Sequence, residues 1–541
     1  MNDKSNMFVF CIILTVSSLC GCKIKKTVVD GINHPMQQRL IFVGDMDHPV
    51  KFAGTLSEVQ DFVDKYANTQ VTTFMVSAGE EVPTYRSKYN RIAGDNDDGR
   101  LNCGTNTALY NHFRTENRNI LNLEKEYGTD VATIQLKRAR EKGMEAFLTF
   151  RMNDLHFVNP AHEYTMLWTD FWLKHPEFRL NEDVGWHSAG AYDFAHPEVR
   201  QYKLNIIFEH LELYGHLIDG YDLDFQRMPV FFKTGEAAQN GHLMTDFVKS
   251  VRSKLDELSA KHGRKIMLSA RVPHDVVFCY SEGLEVKEWI KLGLIDFITI
   301  ATFLLEDPYL PVAKSIQDLG NPNIPVYVNV NVDGYSPALV HSFGTKRGIA
   351  SNIYAQGGNG IYLFNYFFDT RMFKNCIDNV CRSISRDLLM EIGSMETLRK
   401  RNKIFALDDG SASNYYRYRS RSTLPLSVSS DMQNVNFHVG DPLQDDVPEQ
   451  IILFIRTDRE VEAEVQVNSV GVEPLEAKYI LLYQANINLK PEEKVLVFSV
   501  PVSAVQQGVN QIGIRSHEGQ FRVLRLEMAV RYGDVATHGY F

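Results

Sequence analysis

Residues 219–229 read Asp219-Gly220-Tyr221-Asp222-Leu223-Asp224-Phe225-Gln226-Arg227-Met228-Pro229. From Tyr221 to Phe225 apolar and polar residues alternate, as they do along a β-strand. Successive side chains of a strand point to opposite faces, so Asp222 and Asp224 share one face. Two neighbouring carboxylates are costly to place in an apolar core. At the end of a strand, such a pair points to acid–base chemistry.

Outward from this stretch, seven further apolar runs have strand length: Leu40–Gly44, Val71–Ser77, Glu145–Arg151, Lys265–Arg271, Asp296–Thr302, Pro325–Asn331 and Asn359–Asn365. With Ile218–Asp224 they make eight. Amphipathic stretches lie between most of them, among them Leu56–Ala67, Val131–Lys142, Pro197–Tyr214 and Gly241–His262. Eight strand–helix units within residues 38–393 predict an α/β fold, a (β/α)8 TIM barrel. A doubly wound sheet is disfavoured, because no Gly-rich phosphate loop follows the first strand. Past a connector at residues 394–410 the texture changes. Alternating runs at Leu424–Val428, Gln450–Arg456, Val461–Asn468, Lys494–Val500, Gln511–Arg515 and Phe521–Val530 are separated by turn-rich breaks. They predict an all-β sandwich over residues 411–541. That part has no tryptophan, and Tyr415, Tyr416 and Tyr418 all come early, so packing on the barrel is favoured over glycan binding.

Composition is that of a globular chain: 44% hydrophobic, 23% charged, net charge -10. With no long basic run, nothing speaks for a nucleic-acid partner. Met7–Leu19 is a short apolar run after Lys4, too short to span a bilayer and suited to a signal-peptide core. It ends in Leu19-Cys20-Gly21-Cys22, which resembles a bacterial lipobox. The resemblance implies a signal peptide over residues 1–21, lipid on Cys22, a tether over residues 22–37, and anchoring in the bacterial envelope, at the outer membrane. A plain secretory signal with incidental cysteines is the other reading. An envelope location permits disulfides among Cys103, Cys279, Cys376 and Cys381. Cys376 and Cys381, five apart on one expected helix, have poor geometry for a bridge. No Cys/His cluster has zinc spacing, and no cofactor or metal is expected.

Barrel sites lie at the C-terminal ends of the strands. The residues found there are Asp45, Asp47 and His48; Ser77 and Glu80; Arg151, Asn153, Asp154 and His156; Asp222, Asp224 and Arg227; Arg271, His274 and Asp275; Thr302, Glu306 and Asp307; Asn329, Asn331 and Asp333; Asn365, Tyr366 and Asp369. Nearly every strand end offers a directional polar group, which suits a polyhydroxylated ligand. Trp168, Trp172 and Trp186, with Phe171, Phe178 and Tyr192, supply either stacking faces or core.

Several stretches are carried together: 150–156 (FRMNDLH), 175–177 (HPE), 192–200 (YDFAHPEVR), 219–229, 270–273 (ARVP) and 360–365 (GIYLFN). In them the chain resembles the bacterial family-10-like glycosyl hydrolases, over about Arg39 to Leu407. The resemblance implies an O-glycosidase acting on a poly- or oligosaccharide. One motif, Asp219-Gly220-x-Asp222-x-Asp224-x-Gln226, is also similar to the signature of family-18 chitinases, whose last residue is a proton-donating Glu. Here that residue is Gln226, which cannot act as an acid. The trailing Phe225-x-Arg227-x-Pro229 fits the first family better, and that resemblance implies Asp224 as the fourth-strand carboxylate and general acid/base; Asp222 beside it is expected to hold a proton or raise its partner's pKa. Glu306, Asp307 and Asp333 are the candidates for the second carboxylate that glycoside hydrolysis requires. Asp333 precedes Gly334 and reads equally well as a turn residue. Substrate contacts are expected from Asp45, Arg151, Asn153, Asp154, His156, Arg227, Arg271, Asn365 and Trp186. No Gly-x-Ser-x-Gly elbow supports a serine nucleophile. The alternative function is a non-catalytic glycan-binding lipoprotein.

Overall fold

The computed structural model describes residues 38–44, 47–79, 81–97, 99, 101–154, 156, 165–185, 188–302, 307–331, 343–367, 386–410, 417–419, 422–476 and 489–533. Eight strands, β1 (Arg39–Val43), β2 (Val71–Ser77), β3 (Glu145–Arg151), β4 (Gly220–Asp224), β5 (Met267–Pro273), β6 (Phe297–Ala301), β7 (Val326–Asn331) and β8 (Gly360–Phe364), close into a barrel in sequence order. All neighbours are parallel, and β8 returns to β1. Each strand lies within two residues of the sequence expectation.

The alternation that marks these strands sorts their two faces. Leu148, Phe150, Tyr221, Leu223, Leu268 and Ala270 face outward into the main core under the helices. Ile41, Val43, Met75, Phe147, Phe297, Tyr327, Tyr362 and Phe364 fill the interior. At the N-terminal end of the strands, Arg39 closes the barrel. Its guanidinium donates to Glu145 Oε2 at 2.7 Å and to the Tyr327 hydroxyl at 2.7 Å, and Thr73 donates to the same carboxylate at 2.6 Å. That end is a sealed polar plug, which leaves the C-terminal end for chemistry.

Between β2 and β3 lies the helix Thr107–Tyr127, which is absent from the sequence expectation. Its stretch is polar, and among its buried residues Glu116 and Asn117 join Phe113, Ile120 and Leu123, so the apolar period is broken. The ends are nevertheless well marked: Asn106 caps the first turn through the Leu109 N–H, and Gly128 ends the helix at φ 61°.

Past the barrel, two antiparallel sheets form the sandwich. One contains β10 (Leu426–Val428), β12 (Gln450–Thr457), β15 (Glu473–Pro474), β16 (Lys494–Ser499) and β18 (Phe521–Arg531), with β9 (Lys403–Leu407) also paired to β18. The other contains β11 (Gln433–Val439), β13 (Ala463–Val467), β14 (Val470–Gly471) and β17 (Gly508–Ser516). The stretch expected as a connector thus supplies the strand β9, and β11 is a strand the sequence reading lacks. The inner faces meet in a core that includes Phe437, Leu453, Ile512, Val523 and Met528. The barrel helix Phe343–Ala355 lies flat on β9. Gly348 permits this, since a Cβ there would collide with the Ile404 carbonyl oxygen. Ser351 Oγ donates to Asp441 Oδ1 at 2.5 Å, and the buried Lys403 ammonium sits 2.9 Å from Asp441 Oδ2. Among the described residues, no helix is long and apolar enough to cross a membrane.

Candidate active site

Three adjacent strands carry the same spacing: Thr149-x-Arg151 on β3, Asp222-x-Asp224 on β4 and Ser269-x-Arg271 on β5. The parallel register sets Thr149, Asp222 and Ser269 side by side, and Arg151, Asp224 and Arg271 side by side one step nearer the mouth. The interior therefore carries two rungs, hydroxyl–carboxylate–hydroxyl below and guanidinium–carboxylate–guanidinium above.

In the lower rung, Ser269 Oγ donates to Asp222 Oδ1 at 2.6 Å and Thr149 Oγ1 donates to Oδ2 at 3.0 Å. Asp222 is wholly buried. Burial pushes its carboxyl up to about 6, and the neighbouring Asp224 charge adds to the rise; the two hydroxyls and Arg271 oppose it. In the upper rung, Arg271 grips Asp224 with both arms of its fork, Nε to Oδ1 at 2.9 Å and a terminal nitrogen to Oδ2 at 2.8 Å. The backbone N–H groups of Gln226 and Arg227 also donate to Oδ1, at 3.1 and 2.9 Å. Burial works against the Arg271 charge, and Asp224, together with Tyr362 and Asp222, more than offsets it. The other arm of Arg271 donates to Asn329 Oδ1 at 3.0 Å.

From Arg151 the network runs on along the mouth. Arg151 donates to Asp154 Oδ2 at 3.1 Å. Asp154 Oδ1 accepts the His156 backbone N–H at 3.0 Å and also meets His156 Nδ1. Arg227 donates to His156 Nε2 at 2.7 Å. With Nε2 accepting and Nδ1 facing a carboxylate, the hydrogen-bond pattern assigns a neutral imidazole protonated on Nδ1. Burial lowers the His156 pKa and Arg227 lowers it further, against Asp154. Burial alone would raise the Asp154 carboxyl, but His156, Arg151 and Arg227 outweigh it and hold it well below the usual carboxylate range. Phe364, at the end of β8, lies under all three guanidiniums, with Arg271, Arg227 and Arg151 at 4.7, 5.7 and 5.8 Å from its ring centre.

Two residues here hold left-handed backbone, Met228 at φ 65° and Asn365 at φ 56°. Asn tolerates that region, and Met does so only at a cost of about 1–2 kcal/mol. The strain falls on the turn that presents Arg227. Gln226 is buried, and neither of its amide atoms has a hydrogen-bond partner among the described residues; the Tyr362 hydroxyl and Thr299 Oγ1 are in the same condition.

The remaining expected residues are placed otherwise. The Asn153 amide donates to the carbonyls of Tyr192 and Val230, at 3.1 and 2.7 Å, and accepts the Tyr192 N–H, so it staples two loop backbones together. Asp307 accepts the Tyr309 N–H at 2.9 Å. It lies close enough to Asp408, in the segment leading to the sandwich, to help burial raise that carboxyl to about 6. His274 pairs its Nε2 with the Tyr418 hydroxyl at 3.1 Å, and burial lowers its pKa to about 4. Trp172 is core, donating to the Gly190 carbonyl with Arg179 packed 3.4 Å over its ring. Asp45, Trp186, Glu306, Asp333, Asp369 and Cys22 lie outside the described residues. Among the described residues, no group of His, Cys, Asp or Glu is placed to hold a metal ion. The sequence reading missed Thr149, Ser269 and Phe364; the repeated x-spacing on β3, β4 and β5 was the signal for the first two.

No family model matches the sequence, and no curated protein matches it. Among solved structures, an α-L-fucosidase of Bacteroides thetaiotaomicron shares 12% identity at a TM-score of 0.35, covering 87% of this chain and 84% of its own. A cell-surface chitinase of a Paenibacillus species shares 11% at 0.39, covering 65% of this chain and 33% of its own. A cycloisomaltooligosaccharide glucanotransferase, also from Paenibacillus, shares 10% at 0.34, covering 91% of this chain, which spans 57% of that protein. At scores this low the likeness carries no weight, and the barrel rests on this chain's own topology.

Proposed function

We propose that this chain is a glycoside hydrolase in which Asp222 holds the catalytic proton and Asp224 stays charged. The observation that carries the reading is the division within one carboxylate pair. Asp224 is saturated by four donors, two of them from a buried guanidinium, so it is poorly suited to carry a proton. Asp222, one rung below, is pushed up to about 6. One carboxyl pushed up by burial beside a carboxylate held by four donors is a division of labour suited to an acid–base site. This moves the general-acid role expected of Asp224 onto its neighbour. Arg151, Arg227 and His156 bring directional polar groups suited to a sugar to the same strand ends. The second carboxylate is assigned to Asp307, Glu306 or Asp333. The test is reducing-end release from a panel of oligo- and polysaccharides by wild type and Asp222→Asn. Cleavage lost in the variant supports the reading; cleavage at equal rates, or none by wild type, overturns it. The basic limb of the kcat/KM profile should have its midpoint at about pH 6, because activity requires the protonated Asp222.

A second reading has its own observation. Gln226 stands where the chitinase-like motif would place its acid, and its buried amide lacks a partner among the described residues. Glycan binding without cleavage, unchanged by Asp222→Asn, would establish a binding protein on a glycosidase-type barrel.

The lipobox-like Leu19-Cys20-Gly21-Cys22 supports, as part of the same proposal, a family-10-like envelope lipoprotein anchored at Cys22. Expressed in a bacterial host, wild type should incorporate an alkyne-labelled fatty acid and sediment with membranes. Cys22→Ser should do neither, and a variant that stays labelled would refute the anchor site.

A further inference from the structure

The strands β9 and β10 both pair with β18 of the sandwich. Between them in sequence, Arg417 and Tyr418 reach back to the barrel. The Tyr418 hydroxyl pairs with His274 Nε2 at 3.1 Å, and its ring packs 5.0 Å from that of Phe278. His274 directly follows β5, so this contact lies at the C-terminal end of the strands.

Arg417 reaches the connection after β4, the one that carries Gln226, Arg227 and Met228. Its guanidinium donates to the Phe232 carbonyl at 3.3 Å and to Glu282 Oε2 at 2.8 Å, and lies 3.5 Å from Glu182 Oε2. Glu182 Oε2 also accepts the Thr234 N–H and hydroxyl, at 2.9 and 2.8 Å. One planar fork thus meets acceptors from the connections after β3, β4 and β5, a geometry that a lysine ammonium on its flexible stem would not reproduce. The Glu282 side chain is 2% exposed and that of Arg417 19%, so the pair is largely withdrawn from water.

The connection after β4 needs such a hold. Met228 keeps its left-handed backbone only because the chain is fixed on both sides of it. Before it, the Gln226 and Arg227 N–H groups are fixed on Asp224. After it come three successive carbonyls. That of Val230 accepts Asn153, that of Phe231 accepts the Phe194 N–H at 2.8 Å, and that of Phe232 accepts Arg417. Asn153 and Phe194 belong to the barrel, whereas Arg417 is brought by the chain that runs between two sandwich strands.

We propose that Arg417 is a positioning residue of the barrel mouth: it pins the connection after β4 and so fixes the strained turn that presents Arg227 to the substrate. The substrate part of the proposal rests on the glycosidase reading; the pinning of the turn does not.

The test has two readouts on the full chain. The first is hydrogen–deuterium exchange of the peptide 225–236, with β8, opposite β4 in the barrel, as the control. The second is KM and kcat on an oligosaccharide that wild type cleaves. Arg417→Met should speed exchange of 225–236 about tenfold and leave β8 unchanged. KM should rise about tenfold with kcat held within about twofold, because Arg227 is assigned to binding and the proton to Asp222. A mere loss of folded protein would lower kcat and leave KM where it was. Should Arg417→Met strand the buried Glu282 carboxylate and fail to fold, the double variant Arg417→Met/Glu282→Gln removes that charge and still leaves Phe232 unpinned. Unchanged exchange of 225–236 overturns the proposal, as does faster exchange with unchanged KM. If wild type cleaves nothing, the hydrolase reading falls, and the exchange result alone decides whether Arg417 holds the turn.

Discussion

Asp222→Asn should lower kcat/KM at least ~100-fold and, above pH 7, leave the barrel more stable than wild type. The two effects have one origin. An unfolded Asp titrates at about 3.9, whereas burial between Thr149 and Ser269 pushes Asp222 up to about 6. The folded state binds the proton more tightly. Its contribution to stability is therefore fully present below pH ~4 and is lost as pH rises through about 6. Two pKa units correspond to at most about 3 kcal/mol. Asn is neutral at every pH and has the same shape. The hydroxyls of Thr149 and Ser269 can turn, one donating to the amide oxygen and the other accepting from its nitrogen, so no buried polar atom is orphaned. Melting curves of both proteins at pH 4.5 and 7.5 decide the matter. Wild type should lose melting temperature between the two relative to the variant. Parallel curves would show that Asp222 does not titrate in that window, and retained activity would remove it from the mechanism.

The barrel was legible because its signal is redundant. Each strand announces itself by alternation or by an apolar run, and eight strand–helix units leave few other topologies. The helix Thr107–Tyr127 escaped because its buried face includes Glu116 and Asn117, which break the apolar period. β9 escaped because Lys403–Leu407 falls between a helix and turn-rich sequence with no strand-like run beside it, and its partner β18 lies over 100 residues on. The site was legible as a set of residue types and not as a set of roles. Asp222, Asp224, Arg151, Asp154, His156, Arg227 and Arg271 do converge. Which carboxylate is saturated, however, depends on cross-strand register, which a single strand does not reveal. Asn153 shows the same limit. A strand-end amide reads as a ligand contact, until two loops distant in sequence, at Tyr192 and Val230, arrive to use its oxygen and nitrogen.

Arg271→Met should have the largest effect on stability, about 3–5 kcal/mol, because it strands a buried carboxylate. The side chains of Arg271 and Asp224 are each 2% exposed, so water cannot replace the lost guanidinium. Methionine fills much of the volume beside Phe364 and Tyr362, so the loss is electrostatic rather than a cavity. Asp224→Asn should cost a comparable amount, leaving the buried guanidinium without its counter-charge. If the rung acts as a unit, the double variant Asp224→Asn/Arg271→Met should lose less than the two single losses added together. The exposed pair Arg86–Glu124, with side chains 66% and 46% accessible, is the control; Arg86→Ala should cost under ~1 kcal/mol. Urea unfolding read by tryptophan fluorescence isolates the barrel, since all four tryptophans, Trp168, Trp172, Trp186 and Trp289, precede the sandwich in sequence. Additive losses, or an Arg271→Met midpoint equal to that of Arg86→Ala, would mean that the upper rung is not a coupled pair. The division of roles between the two aspartates, which rests on Asp224 being gripped by Arg271, would then lose its support.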